Sequence, residues 1–139
     1  MAKTGHVKRI PHITLGASDM KKSVSFYEQI LGLEKMGEWP TYAIFDIAGV
    51  ELGLQPRRGP EICLLVDDVD KAYGDLRDKG VKFLSEPKDQ HWGGRAASFV
   101  DPDGNIFVIE SFQCKACGKF CESYRELVEE HLKTHKSEM

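Results

Sequence analysis

The stretch HITLGASDMKKSVSFYEQILGLE at residues 12–34 decides the fold, because its pattern returns as EICLLVDDVDKAYGDLRDKGVKF at residues 61–83. Each copy starts with a short apolar run typical of a strand. A segment with apolar side chains at helical spacing follows, and in the first copy these are Met20, Val24, Tyr27 and Leu31. A glycine ends each helix pattern, Gly32 in the first copy and Gly80 in the second. Both stretches therefore predict a strand followed by a helix.

The spacing inside the two copies is also the same. His12 lies seven residues before Asp19, which can cap the helix as Ser18 can, and Glu61 lies seven residues before Asp68. Such a repeat predicts two copies of one module. Because each module alone would expose one face of its sheet, the pair must pack together or curve around a shared cavity. We therefore expect a concave pocket.

Further apolar runs follow each helix and complete the modules. Residues 9–17 form the first strand, and TYAIFDI and VELGLQ flank Ala48 and Gly49, a tight hairpin signal. In the second half VKFL, AASFV and NIFVIE follow, the last two joined by the turn DPDG. The order β-α-β-β-β thus appears twice. The predicted fold class is α+β, with paired βαβββ modules forming a curved-sheet cup.

The composition limits the classes of function. The chain has 139 residues, of which 41% are hydrophobic and 29% charged, close to the average of globular proteins. A formal net charge of −3 gives no basic field to hold nucleic acid or an anionic membrane. Neither a signal peptide nor an apolar run of about 18 residues is present. We therefore expect a cytoplasmic protein with no nucleic-acid partner and no membrane partner.

From about residue 8 to residue 112 the chain resembles the vicinal-oxygen-chelate superfamily of glyoxalases, bleomycin-resistance proteins and extradiol dioxygenases. The resemblance lies in the two repeated stretches, in FY-x3-LG, and in DQHWGGRAASFVDPDGNIFVIE with its DPDGN turn. It implies an open cup for a small-molecule ligand, often completed by a dimer partner. Residues 1–112 are accordingly predicted to be this domain, in a homodimer.

The resemblance also implies positions for metal ligands in the cup. Family enzymes use one ligand from the first strand and one from the last strand of each module, and His12 and Glu61 match the two first-strand positions. Four residues past the turn glycines, where such enzymes usually carry glutamate, the chain has Gly53 and Val108. Two glutamates lie two residues from these positions on the same strand faces, Glu51 and Glu110.

Two classes of function remain open. One is a protein that binds a small organic molecule in the cup, and the other is a metal-dependent lyase or isomerase of the glyoxalase type that uses His12 and Glu61. A dioxygenase needs two histidines and a carboxylate, which the pattern does not provide. Half of the ligand set for a divalent metal is missing, so we favour binding and predict that the cup lacks a third protein ligand. The catalytic residues are unknown.

Aromatic and polar side chains along the chain are candidates for the ligand pocket. Aromatic rings can form apolar walls and a few polar groups can anchor a ligand, although each ring has core packing as its alternative. The predicted ligand-binding residues are Trp39, Tyr42, His91, Trp92 and Arg95. Two more aromatic rings, Phe45 and Phe99, are further candidates for the walls.

The C-terminal stretch FQCKACGKFCESYRELVEEHLKTH at residues 112–135 has metal-ligand spacing. Cys114 and Cys117 are separated by two residues, whereas His131 and His135 are four apart and share one helical face. The stretch resembles a two-cysteine, two-histidine zinc finger, although thirteen residues instead of twelve separate the two pairs. Residues 113–139 are therefore predicted to be a small finger with a structural zinc.

The remaining cysteines and the finger surface receive simpler interpretations. Cys63 is predicted to be a small buried side chain, and Cys121 is a spare thiol near the zinc whose role stays open. Leu127 is expected in the finger core with either Phe120 or Val128. Acidic residues occupy much of the helix face that would meet DNA, so the finger is expected to brace the protein or to contact another protein.

Overall fold

The computed structural model describes residues 5–56, 59–90, 93–113, 118–121 and 126–127. They belong to two units, and each unit contains one of the repeated modules. The first unit is Ile10–Cys63, and the second combines the chain up to Arg9 with the chain from Leu64 onward. Among the described residues, no helix is long and apolar enough to cross a lipid bilayer.

The first unit follows the predicted order of a strand, a helix and three strands. Its elements are β1 (Arg9–Ala17), α1 (Met20–Ser25) with a π-helical turn (Phe26–Ile30), β2 (Glu34–Trp39), β3 (Tyr42–Ile47) and β4 (Val50–Pro56). The strand order is β2-β3-β4-β1, with β1 parallel to β4 and the other pairs antiparallel. Its core is formed by Val24, Ala43, Phe45, Leu52 and Leu54.

The helix of the first unit differs in one respect from the predicted apolar stripe. The N–H of Leu31 donates to the carbonyl of Phe26, 3.0 Å away, across the five-residue spacing of a π-helical turn. This wider turn breaks the helical spacing of the stripe. Val24 and Tyr27 still pack in the core, but Leu31 is 53% exposed. The prediction that Leu31 lies on the buried face is wrong.

The second unit repeats the order with an additional short strand. The strand β5 (Glu61–Leu65) crosses the boundary, and its last two residues belong to the second unit. The other elements of this unit are α2 (Val69–Asp78), β6 (Lys82–Phe83), β7 (Lys88–Asp89), β8 (Gly94–Val100), β9 (Ile106–Gln113) and β10 (Phe120–Cys121). The strand order is β5-β9-β8-β6, while β7 pairs with β8 and β10 with β9. Its core contains Val66, Val69, Ala72, Ala97 and Ile109.

The duplication is visible in the helix caps. Asp19 has φ −138° and ψ 101°, and its side chain accepts a hydrogen bond from the N–H of Lys22. Asp68 has φ −136° and ψ 102° and accepts from the N–H of Lys71 in the same way. Both residues are therefore N-caps with the same geometry. The predicted paired βαβββ modules are confirmed.

A hairpin joins β3 to β4 at the predicted position. Ala48 and Gly49 have φ values of 50° and 95°, so both central residues of this two-residue turn are left-handed. Such a turn matches the right-handed twist of the flanking strands. The hairpin sets the register of β4 against β3, with Phe45 opposite Leu52 and Ile44 opposite Gly53.

The C-terminal stretch contributes a hairpin and a small apolar cluster to the second unit. Phe120 and Cys121 of β10 pair with Gln113 and Phe112 of β9. Cys121 and Leu127 are buried with Phe112 and with Leu65 from the end of β5. Phe120 is 49% exposed, so the alternative that placed it in the core with Leu127 is wrong, and Val128 of the other alternative lies outside the described residues. Cys63 is buried, as predicted.

Candidate small-molecule site

The sheet of the first unit has an apolar face and a polar face. Ile13 and Leu15 of β1 pack against the core on the helix side. Because successive side chains of a strand point to opposite faces, His12 and Thr14 point to the other side. In the parallel register of β1 and β4 these two residues lie beside Glu51 and Gly53. On the polar face, the predicted cup residue His12 therefore lies next to Glu51 of the neighbouring strand β4.

The imidazole of His12 is hydrogen-bonded through both nitrogens. Its Nδ1 lies 3.4 Å from Oε1 of Glu51, and its Nε2 lies 3.0 Å from Oγ1 of Thr14 and 3.1 Å from Oη of Tyr42. His12 and Glu51 are only 9% and 3% exposed. In the tautomer whose Nδ1–H donates to Glu51, Nε2 is left to accept a hydrogen bond from a hydroxyl.

Gly53 provides the space in which the hydroxyl of Tyr42 reaches His12. A Cβ atom at position 53 would lie 2.5 Å from Oη of Tyr42 and 2.7 Å from Nε2 of His12. Both distances are too short for carbon, so a side chain here would push the two groups away. The glycine at this last-strand position is thus a requirement of the observed hydrogen bonds. This cluster was not predicted from the sequence, although the spacing of two residues between His12 and Thr14 on one strand places both on the same face.

Two of the predicted ligand-binding residues lie together on the same side of the first unit. The ring centroids of Trp39 and Tyr42 are 6.2 Å apart, and Trp39 is 55% exposed while Tyr42 is partly buried. Trp39 also lines an open cavity of about 310 Å³ whose other residues are Met20, Lys21, Glu38 and Pro40. An exposed aromatic surface therefore adjoins the polar cluster at His12.

The side chains of this face do not fit a bound divalent metal. Glu61 begins β5, the strand next to β1 in the sheet, and is partly buried. Throughout the part of the chain that the structure describes, no group of three His, Cys, Asp or Glu side chains is placed to hold a metal. The Nε2 atom of His12 is occupied by hydroxyls, and Gly53 has no donor. His12 and Glu51 together supply two donors, fewer than a typical protein metal site.

The second unit places the other last-strand position in its own sheet. Val108 of β9 pairs with Ser98 of β8, and Glu110 lies two residues further along the strand on the same face. Glu110 is buried, and its backbone carbonyl accepts from the N–H of Val66. The apolar side chain of Val108 has no atom that can ligate a metal.

Arg95 forms an ion-pair group within the second unit. Its Nε and Nη2 donate to the two carboxylate oxygens of Asp70 at 2.8 and 2.9 Å, and its Nη1 donates to Asp89 at 3.0 Å. These hydrogen bonds hold the pKa of Asp70 below its ordinary value of 3.8. Arg95 thereby joins β8 to the first turn of α2 and to β7, and its role in ligand binding stays a prediction.

The remaining candidates divide into two sets. Phe45 is fully buried in the core of the first unit, so it does not form a pocket wall, whereas Phe99 is partly buried and packs against the core of the second unit. His91 and Trp92 lie outside the described residues, and their role stays a prediction. All four predicted zinc ligands also lie outside the described residues: Cys114, Cys117, His131 and His135.

Comparisons with known proteins agree with this architecture. Residues 9–109 match the model of the Glyoxalase/Bleomycin resistance protein/Dioxygenase superfamily. The uncharacterized protein YraH of Bacillus subtilis (strain 168) is 35% identical, over 73% of this chain and 96% of its own. Metallothiol transferase FosB of Staphylococcus haemolyticus (strain JCSC1435) is 38% identical, over 76% of this chain and 84% of its own. The chain therefore belongs to this superfamily.

A solved structure supports the same assignment. The Mn(II)-bound glyoxalase from Novosphingobium aromaticivorans is 27% identical to this chain and superposes with a TM-score of 0.64. The match covers 76% of this chain and 39% of that protein. The βαβββ fold is thus shared with a solved glyoxalase that binds Mn(II).

Proposed function

We propose that this protein binds a small organic molecule at the polar face of its first unit, where the superfamily resemblance implies a cup, without a resident metal there. The hydrogen-bonded set of His12, Glu51, Thr14 and Tyr42 carries this proposal, because it engages the ring nitrogens of the predicted metal ligand. Trp39 and Tyr42 supply an aromatic wall beside these polar groups. Apolar walls with a few polar anchors are typical of small-molecule sites.

The test of this function is the metal content of the purified protein. We expect Cys114→Ala to remove the zinc of the C-terminal stretch and to leave the folded chain without stoichiometric metal. Circular dichroism of the variant is the control for folding. Zinc, nickel, manganese or iron at about one per chain in that variant, lost again on His12→Ala, would make the metal-dependent enzyme the better account.

The C-terminal stretch is proposed to bind a structural zinc through Cys114, Cys117, His131 and His135. The sequence places the two cysteines between β9 and β10, which pair as a hairpin, and the two histidines after the buried Leu127. A short segment of this kind has little core of its own, and zinc supplies the missing stability. We expect about one zinc per wild-type chain by elemental analysis, and a freshly purified, folded sample without zinc would refute this site.

A metal-dependent enzyme is the second candidate. Several relatives are named metallothiol transferases, and the one from Staphylococcus haemolyticus is 38% identical over 76% of this chain. This likeness supports a metal-dependent transferase, lyase or isomerase in which His12 and Glu61 are ligands. The glycine and valine at the last-strand positions argue against it, since two protein donors leave most of the coordination sphere to water.

A further inference from the structure

We infer that Tyr42 and Gly53 together prevent a metal from binding to His12 in the first unit. The hydroxyl of Tyr42 takes the place on Nε2 of His12 that a metal would need, and Gly53 leaves the space for it. This inference rests on the proposed metal-free function. It adds a cause for the absence of a metal, namely two specificity-determining residues on the neighbouring strands β3 and β4.

The geometry at His12 explains why a metal and the tyrosine exclude each other. A metal on imidazole sits about 2.0 to 2.1 Å from the nitrogen, along its lone pair. The other ring nitrogen faces the buried carboxylate of Glu51, so Nε2 is the one available to a metal. The hydroxyls of Thr14 and Tyr42 lie within hydrogen-bond distance of this nitrogen, 3.0 and 3.1 Å away. A metal must therefore displace these hydroxyls from a site that is 9% exposed.

Gly53 and Tyr42 act together, because the hydroxyl of Tyr42 reaches His12 only when position 53 has no side chain. With any side chain at position 53, the hydroxyl of Tyr42 and the ring of His12 cannot keep their present positions. A glutamate at that position would both displace the hydroxyl and add a carboxylate next to His12 and Glu51. Gly53 thus has no side chain that can bind a metal, and it leaves room for the hydroxyl of Tyr42 on His12.

The hydroxyl of Tyr42 in the place of a metal also determines which kind of ligand the site can bind. A site without a metal meets its ligand through hydrogen bonds from hydroxyl and imidazole groups, and no metal cation is there to attract an anionic ligand. We therefore expect an uncharged organic molecule with hydrogen-bonding oxygen or nitrogen atoms and a flat apolar part for Trp39. A dianionic oxygen chelator is the class of ligand that this arrangement disfavours.

The experiment is a titration with Mn²⁺ alone, followed by the loss of the electron-paramagnetic-resonance signal of free Mn²⁺. The 139-residue chain is used as purified, together with any zinc in its C-terminal stretch, because carboxylate donors suit manganese better than thiolates do. The variants are Tyr42→Phe, which keeps the ring and removes the hydroxyl, and the double variant Tyr42→Ala with Gly53→Glu. Tyr73→Phe is the matched control, since it removes a hydroxyl that is bonded to Arg77 in the second unit.

We expect Tyr42→Phe to tighten Mn²⁺ binding by roughly tenfold and the double variant to tighten it further, in both cases only while His12 is present. Tyr73→Phe should behave as the wild type. If wild type and Tyr42→Phe bind equally weakly and the double variant does not improve, the inference is wrong and the metal-free function stands. Tight, His12-dependent binding by the wild type would instead contradict the proposed function and the inference together.

Discussion

His12 and Glu51 illustrate how a polar pair is tolerated inside a sheet. Both are more than nine-tenths buried, and a buried charge or polar group is costly unless it is hydrogen-bonded. Glu51 satisfies one ring nitrogen, and the hydroxyls of Thr14 and Tyr42 satisfy the other. Removing one member leaves its partners buried without their hydrogen bonds. The cluster is therefore fixed in position, as a binding site needs.

The prediction at this scale concerns two glycines with opposite surroundings. Gly53→Ala places a Cβ atom 2.7 Å or less from His12 and Tyr42, whereas Gly74 in α2 has nothing within 4 Å of its added Cβ. We expect Gly53→Ala to lower the free energy of unfolding by about 1 to 3 kcal/mol through overpacking. Gly74→Ala should raise it by about 1 kcal/mol through helix propensity.

Urea denaturation of the two variants and the wild type measures both effects. The comparison separates crowding from a general response to alanine, because the chemical change is identical. Equal stability of Gly53→Ala and the wild type would mean that the space over Gly53 is larger than the structure indicates.

At the scale of elements, strand register decides which side chains meet. The parallel register of β1 and β4 brings His12 beside Glu51, and the hairpin between β3 and β4 fixes Ile44 opposite Gly53. A shift of one residue in either pair would turn these side chains to the other face of the sheet. The site of the first unit is thus a consequence of two strand pairings.

Arg95 performs the corresponding role of joining elements in the second unit. The lowered pKa of Asp70 means that the ion pair stabilises the fold above the ordinary carboxyl pKa of 3.8 and that this contribution is lost as the pH falls through the lowered value. We expect Arg95→Gln to be less stable than the wild type at pH 7, by roughly 1 kcal/mol or less because Asp70 is largely exposed. The difference should shrink as the pH falls below 3.8.

Thermal unfolding between pH 7 and pH 2 measures this dependence. Arg77→Gln is the matched control, because the guanidinium of Arg77 lies over the ring of Tyr73 at 5.2 Å. Its effect should not follow the titration of Asp70. A constant deficit of Arg95→Gln across the whole pH range would show that the arginine contributes by packing instead of by its charge.

At the scale of the whole molecule, the C-terminal stretch shares a core with the second module. Leu127 is fully buried and packs in one cluster with Leu65, Phe112 and Cys121. We expect Leu127→Ala to lower the free energy of unfolding by about 2 to 5 kcal/mol through the cavity it leaves. Phe120→Ala, at a neighbouring residue that is 49% exposed, should have a much smaller effect.

Chemical denaturation followed by circular dichroism tests this coupling, because the strands of the second unit, β8 and β9 above all, contribute to the strand signal. If Leu127→Ala leaves the main transition unchanged and removes only a separate early transition, the stretch folds independently of the module. One cooperative transition at lower denaturant is the expected result.

Assembly is the second expectation at this scale. A sheet with open edges is commonly covered by a partner, and the resemblance to the superfamily implies pairing, so we expect a homodimer. Sedimentation equilibrium should give about twice the chain mass of 15.7 kDa. A mass near 15.7 kDa at high protein concentration would contradict this expectation.

The sequence alone determined the duplicated architecture of this protein. Strand alternation, helical spacing and the seven-residue interval from His12 to Asp19 are local properties, so they predicted both modules and both helix caps. The same local reasoning predicted the turn at Ala48 and Gly49, while the resemblance to the superfamily marked Gly53 and Val108 as positions where a metal ligand is missing. These features depend on neighbours in the chain, which the sequence shows directly.

The tertiary structure decided which distant groups meet. Glu51 and Tyr42 reach His12 from 39 and 30 residues away, through strand registers that the apolar pattern alone does not fix. Similarly, the sequence named Arg95 as a ligand-binding candidate but did not show that Asp70, 25 residues away, pairs with it. The burial of Cys121 in place of Phe120 depends on how β10 pairs with β9. Such contacts follow from strand pairing and packing, whose free energies depend on residues far apart in sequence.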